Sequence, residues 1–293
     1  LRQADIFPAA VGAAAGEMWA QPAARAARVE TMAAAGAAAG EARRALILAL
    51  AELAVRHGLY LGTSFLEVDG EDFYDTFVLV DPLGRLAGRV RKNPPASFEA
   101  WLFRAGDDPH WFDTPLGRVG VGICFENSLY ARYQELHAAD VDLVLRPFSG
   151  ASFQPRFPIR PQDVAMINAA LRDGSGETGR LTGRPVVMAN KVGRLACDLP
   201  WPFPRQDVEF PGYSTVADGD GTVLGQRGPG EEGVVLGVVH PDPARKVREQ
   251  APNLHGRWTV ALPWWAPLWT LTGNLGARVY ARSAARRAAD RAA

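Results

Sequence analysis

Cysteine is scarce in this chain: Cys124 and Cys197 are the two among 293 residues. Two thiols in unlike contexts cannot form a disulfide framework, so a reducing compartment, and with it the cytoplasm, is the expected location. No CxxC pair occurs and the five histidines are scattered, so zinc-ligand spacing is missing and metal-free, cofactor-free chemistry is expected. Charge of one sign is missing too. Lys+Arg and Asp+Glu balance at 32 each, which removes the global field that draws nucleic acid. Basic tracts interleaved with stacking aromatics are absent, and nucleic-acid binding is set aside. The longest apolar tract, "WTVALPWWAPLWTL" at 258–271, is too short and too rich in proline to span a bilayer. The start, "LRQADIFPAA", lacks the ordered regions of a signal peptide and opens on Leu1, as a fragment or a processed chain would.

What is present is an ordinary soluble balance, 47% hydrophobic and 22% charged, with room for one large α/β domain. "ADIFP" reads as the tail of a strand, followed by an alanine-rich region to about residue 40. "ARRALILALAELAVRHG" (42–58) has good helix formers and a Gly58 stop. Strands are expected at "LYLGTSFLEV", "DTFVLVD" and "RLAGRVRK", the last two joined by the turn "DPLG". A loop follows over 93–113. "GRVGVGIC" then reads as a buried strand, "NSLYARYQELHAA" as a helix, "VDLVLRP" as a strand, "QDVAMINAALRDG" as a helix and "RPVVMAN" as a strand. "YSTVAD", a "GDG" turn, "TVLGQR" and "EGVVLGVVH" close the body. Alternating strands and helices indicate α/β architecture, and the hairpin-like pairs exclude a purely parallel sheet.

Three residues stand where chemistry could be done. Cys124 follows a strand and is expected at or just before a helix N-terminus, where backbone dipoles favour a thiolate. The crevice beyond the carboxyl ends of strands is where ligands bind in open α/β sheets, and backbone N–H groups there can receive an oxyanion. An isolated cysteine is also a common buried small hydrophobe. Lys92 ends a strand; it is either a solvated surface charge or a cation for a thiolate and an oxyanion. Glu99, on the aromatic-flanked stretch "SFEAWLFRAG", is either a surface carboxylate or a partner for Lys92.

Taken together, and in this order, strand–Lys, loop–Glu and strand–Cys–helix resemble the nitrilase superfamily of carbon–nitrogen hydrolases. The resemblance covers most of residues 4–240. It includes "YDTFVLVDPLGRLAGRVRK", "FEAWLFRAGDDPHWFDTPLGRVGVGICFE", "ADVDLVLRPFS", "PVVMANKVG" and "FPGYSTVADGDGTVLG". It implies a four-layer-forming α-β-β-α sandwich, here without the family's first strand and helix. It implies Cys124 as nucleophile, Lys92 as stabiliser of thiolate and oxyanion, and Glu99 as the carboxylate that positions the lysine. The backbone N–H of Phe125 would join in binding the oxyanion, with Glu126 and Asn127 beside it at the substrate; for Glu126, local hydrogen bonding at the elbow is the favoured job. "RPFSGASF" (146–153) is expected to line the pocket.

One part of the pattern departs. The family's general base is a glutamate directly after the proline of "DIFP", and Ala9 stands there. A missing positioned base costs roughly 10²–10⁴-fold in rate. Glu17 is either a relocated base or an ordinary loop carboxylate. Cys197 is read as structural or incidental, and His110, His137 and His240 as loop or helix-surface residues.

The chain is expected to divide into a carbon–nitrogen hydrolase domain over 1–240 and a Trp-rich, basic extension over 241–293. Trp258, Trp264, Trp265 and Trp269 require cover, either from a partner subunit in a homodimer or higher homo-oligomer, or from an anionic membrane surface touched through 258–293. The expected function is hydrolysis of a small amide or nitrile-like substrate through a Cys124 thioester. A base-impaired binding or scaffold protein, or an acyltransferase using the same nucleophile, are the alternatives.

Overall fold

A computed structural model describes residues 41, 43–70, 72–155, 159–197 and 205–292. The strand expected at 4–8, the alanine-rich stretch, Ala9 and Glu17 lie outside those residues. The chain divides into two compact units, one of Leu1–Asp108, Pro200–Phe203 and Pro267–Ala293, the other of Pro109–Leu199 and Pro204–Ala266.

In the first unit a helix, α1, spans 43–57. Three antiparallel strands follow: β1 (Leu61–Asp69), β2 (Asp72–Val80) and β3 (Leu86–Arg91), in the order β1-β2-β3. β2 is central and buried along Thr76–Val80, which is why it reads as a continuous apolar run and not as an alternation. Leu50 and Ala54 of α1 pack on Phe65, Val78 and Val80. The expected "DPLG" turn is there, and the Asp81 carboxylate fixes it by accepting from the Leu83 and Arg85 N–H groups. The long C-terminal helix, Ala266–Ala292, also belongs here from Pro267 onward. Its Gly273 and Gly276 admit the Ser97 backbone and the Trp101 ring, Trp101 Nε1 donates to Thr272 O at 3.2 Å, and Tyr280 donates to Asp72 at 2.8 Å.

Glu67 is 1% exposed and ties this sheet together. Burial raises its pKa, but hydrogen bonds from Arg91, Thr76 and Arg43 outweigh that and bring it down to about 2.

The second unit is built on a six-stranded mixed sheet. Its strands are β4 (Trp111–Thr114), β5 (Gly117–Val121), β6 (Leu143–Pro147), β8 (Val186–Ala189), β11 (Thr215–Ala217) and β12 (Val223–Gln226), in the order β12-β11-β8-β6-β5-β4. β5, β6 and β8 are parallel, and β4, β11 and β12 add antiparallel edges. A smaller sheet joins β7 (Ser152–Phe153), β10 (Gln206–Pro211) and β9 (Val192–Cys197). Helix α2 (Tyr130–Ala138) and helix α3 (Pro161–Thr182) are the crossovers; the C-terminal helix is α4. Leu136 of α2 packs on Val141, Val144 and Val186.

Three expectations are corrected. β4 lies in what reads as loop 93–113; its hairpin with β5 hides because four residues carry too little alternation to register. α3 runs through Gly174, Gly176 and Gly179 and stops at Gly183, which sits at φ +69°. Those glycines lower helix propensity, but they let the helix approach the 218–221 backbone, and packing overrides propensity. "EGVVLGVVH" is not a strand: Val234, Leu236 and Val238 are exposed, and the Val234 carbonyl accepts from the Arg227 guanidinium instead of from a ladder partner.

Two outcomes follow. Gly179→Ala would ordinarily stabilise a helix by about 1 kcal/mol, yet its Cβ would lie 2.5 Å from Asp218 O. A net destabilisation of about 1–3 kcal/mol is expected, read as a lower urea midpoint; an unchanged or higher midpoint contradicts the close approach. The depressed Glu67 carboxyl adds stability that is complete above pH 4.5 and is lost as pH falls through about 2. That contribution amounts to up to about 3 kcal/mol. Glu67→Gln should flatten the acid limb of stability against pH in that window; parallel curves for the two proteins would refute it.

Candidate active site

β3 ends at Arg91, and successive side chains there point to opposite faces of the sheet. Arg91 turns to Glu67 and Asp69, so Lys92 turns the other way. Lys92 is 1% exposed, which removes its reading as a solvated surface charge. Its Nζ donates to Glu99 Oε2 at 2.7 Å and to Asp75 Oδ2 at 3.1 Å, and its N–H donates to Asp75 O at 2.8 Å. Burying an ammonium is costly, and two carboxylates at hydrogen-bond distance offset that cost. Glu99 lies on a single 3₁₀ turn, Ser97–Trp101, and its carboxylate also accepts from the Ala96 N–H at 2.8 Å. Asp75 is the member of this cluster that sequence reasoning misses; its signal is a lone acid inside the apolar run "YDTFVLV".

In the second unit, β5 leads through Gly122 and Ile123 into Cys124, which is half-buried and has φ +50°. A left-handed backbone at a non-glycine residue costs roughly 1–3 kcal/mol and persists only where its surroundings impose it. Here the surroundings are visible. Glu126 is fully buried; its Oε2 accepts from the Ile123 N–H at 2.6 Å, and its Oε1 accepts from Arg132 Nη2 at 3.2 Å and lies 2.8 Å from His110 Nε2. Asn127 Nδ2 donates to Gly122 O at 2.6 Å and to Cys124 O at 3.0 Å. A side chain at position 122 would collide with that amide, so glycine is required there. The Phe125 ring meets Trp258 edge-on at 5.7 Å.

This geometry revises two expectations. Cys124 opens a 3₁₀ turn, Cys124–Ser128, and α2 begins only at Tyr130, so one short turn and not a long helix presents its dipoles to the sulfur. The Glu126 carboxylate holds the Ile123 N–H, Arg132 and His110, and the Asn127 amide holds the Gly122 and Cys124 carbonyls. His110, expected on a loop or helix surface, is 1% exposed, because the 124–128 turn needs a polar group behind Glu126. His137 lies on α2 against Tyr133 and His240 is exposed.

Two tryptophans of the extension have ring partners within the chain: Trp258 on Phe125, and Trp265, 6% exposed, on Phe153 at 5.9 Å. Trp264 stays exposed. No described helix is long and apolar enough to cross a membrane. Among the described residues, no three His, Cys, Asp or Glu side chains come together as a metal site would need.

The other arginine near this turn is Arg146, the penultimate residue of β6. Burial pushes its guanidinium down to about 10, opposed by the Cys124 sulfur and by Glu177.

Comparison with known proteins gives a consistent picture. A family model described as carbon–nitrogen hydrolase matches residues 16–249. Nitrilase 2 of Arabidopsis thaliana is 34% identical over 105 residues, covering 35% of this chain and 31% of that protein. The chain thus spans about a third of the length of the curated relatives it matches. A carbon–nitrogen hydrolase from Helicobacter pylori G27 superposes with a TM-score of 0.57 at 19% identity, over 69% of each chain. A mutant amidase from Nesterenkonia sp. AN1, showing covalent addition of the acetamide moiety of fluoroacetamide at the active site cysteine, superposes with a TM-score of 0.51. It is 20% identical over 66% of this chain and 67% of that one. These likenesses show the nitrilase-type α/β fold that the sequence leads one to expect.

Glu126→Ala would leave the Ile123 N–H without its acceptor and Arg132 with Glu135 as its remaining carboxylate. A loss of about 2–3 kcal/mol in unfolding free energy is expected, measured by urea denaturation. A loss below about 1 kcal/mol would show that the turn does not hang on this carboxylate.

Proposed function

The chain belongs to the carbon–nitrogen hydrolase family, and from that premise we propose that it cleaves the C–N bond of a small non-peptide amide or nitrile with Cys124 as nucleophile. The observation that carries this reading is the Cys124 elbow, a thiol at the end of a parallel strand on a strained backbone held by Glu126 and Asn127. For an amide, the Cys124 sulfur forms a bond to the carbonyl carbon while the C=O π electrons move to oxygen. The tetrahedral oxyanion then reforms C=O and expels the amine, which takes up a proton, leaving a thioester. Water attacks the thioester and releases the acid and the thiol. A nitrile passes through the corresponding thioimidate. The family resemblance assigns the oxyanion to Lys92, whose charge Glu99 and Asp75 orient, and to the Phe125 N–H. The nucleophile serves acyl transfer equally well, with an amine in place of water.

A second reading is favoured by one residue. Ala9 stands where the family resemblance places the general base, which suits a protein that forms the acyl-enzyme slowly or only binds its ligand.

Fluoroacetamide separates these readings, because a reactive thiolate displaces fluoride and keeps the acetamide moiety, a change visible by intact mass. The adduct should form in the native protein and be absent in Cys124→Ala. Turnover of short amides or nitriles should fall by about 10²–10³-fold in Lys92→Met. An adduct without turnover, with turnover gained in Ala9→Glu, selects the base-impaired reading. No adduct and no turnover overturns both roles of Cys124.

A further inference from the structure

Each buried arginine among the described residues except one has a carboxylate partner. Arg91 pairs with Glu67 and Asp69, Arg132 with Glu126 and Glu135, and Arg184 with Asp140. Arg146 is as buried as these, 6% exposed, and forms no ion pair among the described residues; Cys124 and Glu177 act on its charge only through space. Its Nη1 reaches Ser175 Oγ at 3.4 Å, the long limit of a hydrogen bond, and its Nε has no acceptor. Its Cζ lies 5.4 Å from the Phe148 ring. On the helix side Gly174 leaves room; a Cβ there would stand 3.6 Å from Nη1 and 3.7 Å from Nη2. A guanidinium taken out of water costs several kcal/mol unless charge and hydrogen bonds are returned to it, and Ser175 alone returns little.

The position of this charge is specific. β5 and β6 are parallel and in register, Val121 opposite Leu145, and the Gly122 N–H donates to Leu145 O at 3.0 Å. Arg146 is the next residue on β6, while the chain leaving β5 turns at Cys124. Neighbouring strands stand about 4.8 Å apart, so the unpaired cation and the thiol belong to the same end of the same sheet, where substrates of α/β proteins bind.

We propose that Arg146 receives a carboxylate on the substrate, so that the molecule whose C–N bond Cys124 opens carries an acid at its other end. The guanidinium fork suits a carboxylate in two-point contact, and the arriving anion supplies the partner that the fold withholds. The substrate class is then amides or nitriles of short acids, discriminated from neutral isosteres by charge. This rests on the hydrolase reading above, and its test is arranged so that the two fail separately.

The experiment compares succinamic acid with its neutral counterpart butyramide in the native protein, Arg146→Met and Arg146→Lys. Two readouts serve: kcat/KM, and the protection each compound gives Cys124 against fluoroacetamide. The native protein should favour succinamic acid at least tenfold. Arg146→Met should lose about 10–100-fold toward it, chiefly in KM and in protection, while butyramide changes less than about threefold. Arg146→Lys should recover part of the preference, and thermal unfolding of both variants establishes that they fold. Equal treatment of the two compounds by the native protein, with turnover or alkylation intact, overturns the carboxylate site alone. An equal loss toward both compounds in Arg146→Met, with slower alkylation, also overturns it and assigns the charge to the thiol. Absence of both turnover and alkylation in the native protein overturns the hydrolase reading and this inference with it.

Discussion

A carboxylate with no exposure, Glu126, accepts from the Ile123 N–H and from Arg132 and faces His110, and the turn that carries Cys124 is organised around it. The strand before it would otherwise continue, because an extended backbone is the relaxed state for Ile and Cys. Drawing the Ile123 amide onto Glu126 stops the strand, and Asn127 then ties Gly122 to Cys124 from the other side. The left-handed Cys124 backbone is the geometric result. Arg132 and Glu135 extend the same polar cluster along α2, so the first turns of that helix are fixed by the group that fixes the elbow.

The first unit solves a related problem by alternation. Adjacent cations, Arg91 and Lys92, would repel if they shared a face. The strand sends one to Glu67 and Asp69 and the other to Glu99 and Asp75, so each is buried with two acids of its own. Hydrogen bonding wins over desolvation at Glu67, which is why that carboxyl lies low despite its burial. The charge assigned to chemistry and the charge that holds the sheet are thus neighbours in sequence with separate surroundings.

How much of this was legible beforehand depended on how local the signal is. The β2–β3 hairpin, the Asp81 turn, the Cys124 strand and the positions of Lys92 and Glu99 announce themselves in short windows and in their order along the chain. The Lys92–Glu99 contact follows from a spacing of seven residues across one turn. Asp75 and His110 did not announce themselves, since each reaches its partner over 16 or 17 residues and nothing nearby marks the pairing. The extension of α3 through three glycines was hidden for the opposite reason: local propensity speaks against it, and only the backbone it rests on speaks for it. A regular alternation misled at 232–240, where the apolar residues stay in water. The departure at Ala9 is plain in sequence and lies outside the described residues.

The glycine notch of α4 has a bearing on the order of events at synthesis. The turn that holds Glu99 is made early, yet the surface it rests against comes from Thr272, Gly273 and Gly276, far downstream in the sequence. While the ribosome still holds those residues, Trp101 has no helix to close on it and the Glu99 turn has only its own backbone bonds. The lysine–glutamate pair therefore matures late, once the 171 positions that separate Trp101 from Thr272 have been added. Helix α4 acts as the fastening that completes that pair.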